Sequence, residues 1–539
     1  MNSEFQHFDD VQQYISVSWD HLTRSLDQCK TYEDQKIGDE QYLYFPADFK
    51  GLPAFQDLVK DCRVRVEALP EVITSPDDVH LHKIPKAGLL YLPYPYIVPG
   101  GQFNEMYGWD SYFVILGLLR AGRVEPAKGM VENFFYEIQH YGSILNANRT
   151  YYLTRSQPPF LTSMILAVYG AEDSAQQMDN AWLQRAYDFA VTDYEQWTRP
   201  PHLAGDTGLS RYFDHGEGPV PEIIGDPSDY YRGAAQYFLF LDGTKDPHLV
   251  HVDKDHPVES LVGPLFPVFT RDEHADKNSK DNEATTDSPV SQVTLSADFY
   301  KGDRSMRESG FDVSFRFGPF SADTHHYAPV CLNSLLYKTE RDLERMSVLL
   351  GRPQEAERWK GRAIERQKLI QKYLWNAKQG LYFDYDFMTH TLSTYDYATT
   401  FYPLWAGLAS PEQAQAVVKN LPLFEQPGGL AMSRVESQAQ WDYPYGWAPI
   451  QLLAVDGMRR YGFAADADRV AYNFLSMVIE DFVTDRYIRE KYNVVKRTSI
   501  TRIVKGYSQN VIGFGWTNGV FLELLHGLPP PLLDRLKRE

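Results

Sequence analysis

Three segments combine aromatic rings with carboxylates and amides at a density that suits carbohydrate chemistry. They are Pro99-Gly-Gly-Gln-Phe-Asn-Glu-Met-Tyr-Gly-Trp-Asp-Ser-Tyr-Phe113, Gln440-Trp-Asp-Tyr-Pro-Tyr-Gly-Trp-Ala-Pro449 and Gly513-Phe-Gly-Trp-Thr-Asn-Gly519. A sugar presents apolar C–H faces fringed with hydroxyls, so its pocket needs aromatic platforms with Asp, Asn, Gln or Arg around the rim. All three segments supply both. Taken singly, each also reads as core packing, and Asp110, just ahead of the apolar run 112–119, reads as a helix cap.

Other chemistries leave short signatures that this sequence lacks. There is no Gly-x-x-x-x-Gly-Lys-Ser/Thr, and Gly513-Phe-Gly515 runs on to Asn518 and Gly519, out of register for a dinucleotide loop. Gly506-Tyr-Ser508-Gln-Asn510 misses the nucleophile elbow at its last residue. His80 with His82, His248 with His251, and His325 with His326 lack the accompanying Glu or Cys spacing of metal motifs. They read as satisfied or solvated histidines, so neither a metal nor another cofactor is expected. Asp276 to Asp287 lacks the glycine and terminal glutamate of a calcium loop.

Stepping outward, the chain of 539 residues has 53 Lys and Arg against 72 Asp and Glu, a net charge of −19. A surface that acidic repels phosphate backbones and anionic lipid, which disfavours nucleic-acid and membrane partners. No run approaches the ~18 apolar residues of a membrane helix. The opening MNSEFQHFDD has no basic region leading into an apolar one, and Cys29, Cys62 and Cys331 form no Cys-x-x-Cys pair. Both features predict a reduced, cytoplasmic protein.

The positioning elements read mainly as helices. Ser410, Pro411 and Gln413 form a helix start with a capping hydroxyl, a first-turn proline and a residue placed to close the box. Over 353–374, Ala356, Trp359, Ala363, Ile370, Tyr373 and Leu374 share one face. Further helices are predicted at 111–122, 160–170, 180–198, 331–350, 445–460 and 464–484. Helices in series without a fixed repeat point to an all-α toroid rather than a tandem solenoid. Residues 226–300 lack helical periodicity and read as a non-helical insertion, with 271–288 polar enough for a mobile loop. Phe311, Val313, Phe315 and Phe317 alternate with Asp312, Ser314, Arg316 and Gly318, the pattern of a strand with Asp312, Ser314 and Arg316 on one face.

In combination the segments resemble the trehalases of glycoside hydrolase family 37. Residues 99–113 and 440–449 resemble that family's two signatures. Asn146-Ala-Asn-Arg-Thr-Tyr-Tyr-Leu-Thr-Arg-Ser-Gln-Pro-Pro-Phe160, Glu308-Ser-Gly-Phe-Asp312, Pro427-Gly-Gly-Leu430, Glu490-Lys-Tyr492 and Gly513 to Val520 follow in the family's order, covering about 85–525. The resemblance implies an (α/α)6 toroid over 85–530 with the insertion at about 226–300, residues 1–84 being an N-terminal extension packed on it. It implies hydrolysis of a small saccharide, trehalose, with inversion. By residue-by-residue carry-over Asp312 is the general acid and Glu490 the general base. Asn146, Arg155, Ser156, Gln157, Trp109, Asp110, Glu222 and Gly310 line the sugar site, with Gln102, Phe103, Arg316, Trp441, Trp447, Tyr507 and Trp516 as further contacts.

Inversion needs a protonated carboxyl at the leaving oxygen and an ionised one activating water opposite, ~6.5–9.5 Å away. Apolar Phe311 and Val313 favour a raised acid pKa, and Lys491 favours an ionised Glu490. The plain alternatives are a loop aspartate paired with Arg316 and a solvated glutamate in an Arg-Glu-Lys run. The chain also departs from the family pattern. Gln102 stands where trehalases carry arginine, Val220-Pro221-Glu222 replaces Arg-Pro-Glu, and Tyr507 falls where a glutamate is expected. Removing a charged contact costs a few kcal/mol. Another α-linked glucosyl saccharide is therefore the alternative substrate, and a sugar-binding sensor without turnover the alternative class.

Overall fold

The computed structural model describes residues 6–32, 40–50, 60–172, 179–222, 227–242, 245–252, 263–268 and 291–538. Six helices close a ring around the site. They are α2 (Asp110–Arg120), α4 (Leu161–Glu172), α8 (Val330–Leu349), α10 (Tyr402–Ala406), α12 (Ala448–Arg460) and α14 (Gly515–His526). Each packs on the next, and α14 returns to α2. Outside them lie α1 (Gln6–Leu22), α3 (Val124–Tyr141), α5 (Asn180–Trp197), α9 (Pro353–Tyr373) and α13 (Ala464–Asp485). α3 packs on α2 and α4, α5 on α4 and α8, α9 on α8, and α13 on α12 and α14. This is the (α/α)6 toroid.

Local sequence explains the helix ends. Ser410 and Gln413 form the expected reciprocal capping box at the start of α11 (Pro411–Lys419). The inner helices α4 and α14 are apolar on nearly every side because both faces are covered, as befits a helix enclosed by a second layer. α1 packs against α13 and α14. α15 (Pro530–Leu536) also packs on α13.

Four expectations change. Pro227–Asp242 is a helix, α6, rather than part of a non-helical stretch, and α7 (Ala297–Glu308) begins inside the same interval. Tyr231, Ala234, Ala235 and Phe238 do keep helical spacing and are buried, but exposed Phe240 and Leu241 blur the pattern. With the antiparallel strands Leu249–Val252, Phe266–Val268 and Ser291–Leu295, α6 forms a small separate core. The polar run 271–288 lies outside the described residues. Next, 311–318 is no strand: Phe311, Val313 and Phe317 are buried, but so are Ser314 and Arg316, so alternation here reflects a loop enclosed on both sides. Third, Tyr445–Trp447 is a strand, pairing with Lys491–Asn493, and α12 starts only at Ala448. Finally, Cys29 and Cys62 form a disulfide with their Cα atoms 4.8 Å apart, correcting the expectation of three reduced thiols; Cys331 is free and buried. Their 33-residue separation carries no motif by which sequence could pair them.

A close helix approach sets where the site's aromatic wall stands. A Cβ on Gly519 of α14 would lie 2.0 Å from the Phe113 carbonyl oxygen of α2, and one on Gly117 would lie 2.5 Å from the Gly519 Cα. Gly519→Val is expected to destabilise the protein by at least ~1–3 kcal/mol through overpacking. Gly361→Ala, on open α9 surface with nothing within 4 Å, is expected to be neutral or stabilising by ~0.5–1 kcal/mol. Urea denaturation of the two variants checks the contrast.

Candidate active site

A cavity of about 560 Å³ opens among the inner helices, within the size range of small-molecule sites. The N-terminal end of α2 supplies Trp109 and Asp110. Trp109 is the N-cap and makes no side-chain cap bond, and Asp110, in the first turn, lines the cavity. Burial, with the nearby charges of Glu490 and Asp312, pushes its pKa well above the usual carboxylate range.

The 146–160 loop adds Asn146, Arg155 and Gln157. The Arg155 Nε donates to Asn146 Oδ1 at 2.9 Å, its Nη2 pairs with Glu222, and Gln157 Oε1 accepts from the Trp109 amide at 2.9 Å. This buried network fixes an amide, a guanidinium and a carboxylate along one rim.

The end of α7 carries the other half. Glu308, fully buried, accepts from the Phe213 and Ser156 amides and anchors the turn. Gly310 follows at φ +77°, where a Cβ would come within 2.9 Å of the Trp109 ring. Only glycine lets the backbone turn that closely beneath the indole. Asp312 then enters the cavity with 26% of its side chain exposed. Burial pushes its pKa up to about 6 against the downward pull of Arg307, whose Nη1 lies 3.8 Å from the carboxyl. Arg307 Nη1 also donates to the Tyr507 hydroxyl at 2.7 Å.

Glu490 lines the same cavity. Its backbone carbonyl accepts from Trp516 Nε1 at 3.2 Å, and its Oε2 accepts from Lys491 Nζ at 2.8 Å. The strand pair 445–447/491–493 sets Lys491 opposite Trp447, with the ammonium 5.2 Å from that ring's centroid. Lys491 is buried and also donates to Gln440 Oε1 at 2.9 Å and to the Gln509 carbonyl at 3.1 Å. Gln440 Nε2 in turn donates to the Asp312 carbonyl. One amide thus ties the Asp312 loop to the Glu490 strand. Trp441 and Trp447 stack at 3.8 Å, with Trp516 edge-on to both.

Fifteen of the seventeen residues singled out from sequence line this cavity; Ser156 and Arg316 do not. Ser156 lies behind the wall, its amide on Glu308. Arg316 is fully buried in a bidentate pair with Asp384. That pair also removes the alternative in which Arg316 neutralises Asp312. Val220 is buried away from the cavity, while Gln102 and Tyr507 line it. Burial pushes the Tyr507 phenol up, so it remains a neutral hydroxyl. Sequence reasoning missed Arg307 and Gln440's bridging role. Arg307 stands one helical turn before Gly310, immediately ahead of the Glu308-to-Asp312 motif, so its position was the available signal.

In keeping with the expectation of satisfied histidines, His248, His325 and His326 each pair with a carboxylate, gathered around Asp298 and Asp323. No helix among the described residues is long and apolar enough to cross a membrane.

Comparisons with known proteins agree over nearly the whole chain. The family model described as Trehalase matches residues 5–238 and 239–529. The cytosolic neutral trehalase of Saccharomyces cerevisiae is 36% identical over 564 aligned positions, covering 94% of this chain and 69% of that protein. The cytosolic neutral trehalase of Neurospora crassa is 34% identical, covering 94% and 71%. The solved structure of neutral trehalase Nth1 from Saccharomyces cerevisiae superposes with a TM-score of 0.77 at 33% identity, covering 98% of this chain and 95% of that one.

Replacing the bridging amide tests its structural share. Gln440→Met removes one of the buried Lys491 ammonium's acceptors and the Asp312 carbonyl's donor. It is expected to destabilise the protein by ~1–3 kcal/mol in chemical denaturation.

Proposed function

The chain belongs to the trehalase family, and from that premise we propose that it is an inverting glycosidase that hydrolyses the α-glucosidic bond of trehalose. The observation that carries this reading is the pairing of Asp312, a carboxyl pushed up to about 6, with Glu490 in one cavity. Asp312 is the general acid that protonates the leaving oxygen. Glu490, beside the Lys491 ammonium, is the general base that takes a proton from the attacking water. One glucose leaves carrying the donated proton, and the other gains the water's oxygen at its anomeric carbon. Trp109, Trp441, Trp447 and Trp516 provide apolar faces for the sugar rings. Asp110, Asn146, Arg155, Gln157, Glu222, Arg307 and Tyr507 provide hydrogen-bonding groups.

The name cytosolic on the relatives supports a cytosolic setting, against which stands only the Cys29–Cys62 bridge. A second reading keeps the mechanism and changes the sugar to another α-linked glucosyl saccharide. It is favoured by neutral Gln102 and Tyr507 in the cavity wall.

Asp312→Asn and Glu490→Gln are each expected to lower kcat by ~10²–10⁴-fold with the fold retained. Turnover unchanged in either variant removes that residue from its role. Because the acid must be protonated, kcat/KM is expected to fall as pH rises through about 6. Arg307 holds the Asp312 pKa down, so Arg307→Gln is expected to move that limb to higher pH in the remaining activity. A panel of α-glucosyl disaccharides decides between the two substrates.

A further inference from the structure

Away from the cavity, three imidazoles and two carboxylates converge where α7 meets the short turn at Thr324–His326. Asp298 lies in the first turn of α7, His248 immediately precedes the strand Leu249–Val252, and Asp323, His325 and His326 lie just ahead of α8. His325 Nε2 is 2.9 Å and His326 Nε2 3.5 Å from Asp298 Oδ1. The donor atoms of these three residues all lie within 4.8 Å of one another, and the same holds for His248, Asp298 and Asp323.

We propose that Asp298, His325 and His326 form a binding site for a divalent first-row transition metal, of which zinc is the best match. Zinc held at ~2.0–2.1 Å by tetrahedral donors places neighbouring donors about 3.3 Å apart. The two separations from Asp298 bracket that spacing. Two imidazole nitrogens with one carboxylate suit zinc; magnesium and calcium prefer oxygen throughout. His248 stands in the second triad, which shares Asp298. Asp323 is the outer partner: its Oδ1 stands 3.6 Å from His326 Nδ1 and 3.4 Å from His248 Nε2. A carboxylate on the far nitrogen of a ligating histidine fixes the ring's tautomer and orientation.

The His325 and His326 rings are 4.0 Å apart between centroids, and each turns its Nε2 toward the same Asp298 oxygen. His248 and His325 are buried, and Asp298 keeps its side chain 49% exposed, which leaves an entry path. The ion does no chemistry on the sugar, since none of these residues lines the cavity. It clips residue 298 to residues 325 and 326, closing the base of the segment whose middle carries Arg307, Gly310 and Asp312. Its role is to hold that segment.

The test uses the full chain, stripped with a chelator and titrated with zinc chloride in a calorimeter. The result expected is one zinc per chain, with a rise in Tm on binding. The double variant H325Q/H326Q is expected to bind zinc at least ~10–100-fold more weakly and to lose the Tm rise, while H80Q, outside the cluster, keeps both. Zinc that does not bind the wild-type chain, or binds the double variant equally well, overturns the proposal. Should the double variant not fold, anomalous scattering at the zinc edge from wild-type crystals decides. A peak between Asp298, His325 and His326 supports the site; a peak elsewhere, or none, overturns it.

Discussion

Burial favours the protonated form of a carboxyl group, and the architecture around Asp312 turns on that effect. Phe311 and Val313 flank it in a buried loop, and burial outweighs the neighbouring Arg307 and Arg155 guanidinium groups. The balance is close by design of the neighbourhood. Arg307 remains 3.8 Å away, near enough to lower the pKa but engaged mainly by Asp303 and Tyr507. A guanidinium paired tightly to the carboxyl would have kept it ionised and unfit to act as an acid.

Bringing such a group into one cavity with a second carboxylate is a problem of geometry, which the ring of helices solves. The close α2–α14 contact at Gly117 and Gly519 brings Trp109 beside Trp516. Gly310 lets the end of α7 pass beneath Trp109. The strand pair ahead of α12 fixes Lys491, and through Gln440 the Glu490 strand is joined to the Asp312 loop. The Asp312 loop and the Glu490 strand are therefore tied together by one buried amide as well as by the common core. A side-chain network of this kind rigidifies a site because each member would be left buried and unpaired if it moved.

The sequence made the long helices legible where one face is apolar and the other charged, as in α9, and where a cap is written out, as at Ser410. It concealed α6, whose aromatic residues fall on both sides, and it made 311–318 look like a strand because alternation cannot tell a pleated element from a loop buried all round. Half of the cavity-lining residues were singled out through aromatic and carboxylate density together with family order. Arg316 and Ser156 were misplaced because residues adjacent in a motif need not face the same way. The Asp298, His325 and His326 cluster and the Cys29–Cys62 bridge were invisible for a different reason. Their partners meet only through tertiary folding, and no spacing along the chain records it.

The central claim is that Asp312, as acid, and Glu490, as base, act from opposite sides of the bond. The configuration of the freshly released sugar tests it most directly. Proton NMR of the first turnovers on trehalose is expected to show β-glucose and α-glucose appearing in equal amounts, before mutarotation, because water enters one ring from the face opposite the departing oxygen. Release of α-glucose alone would mean retention through a covalent intermediate and would contradict the account.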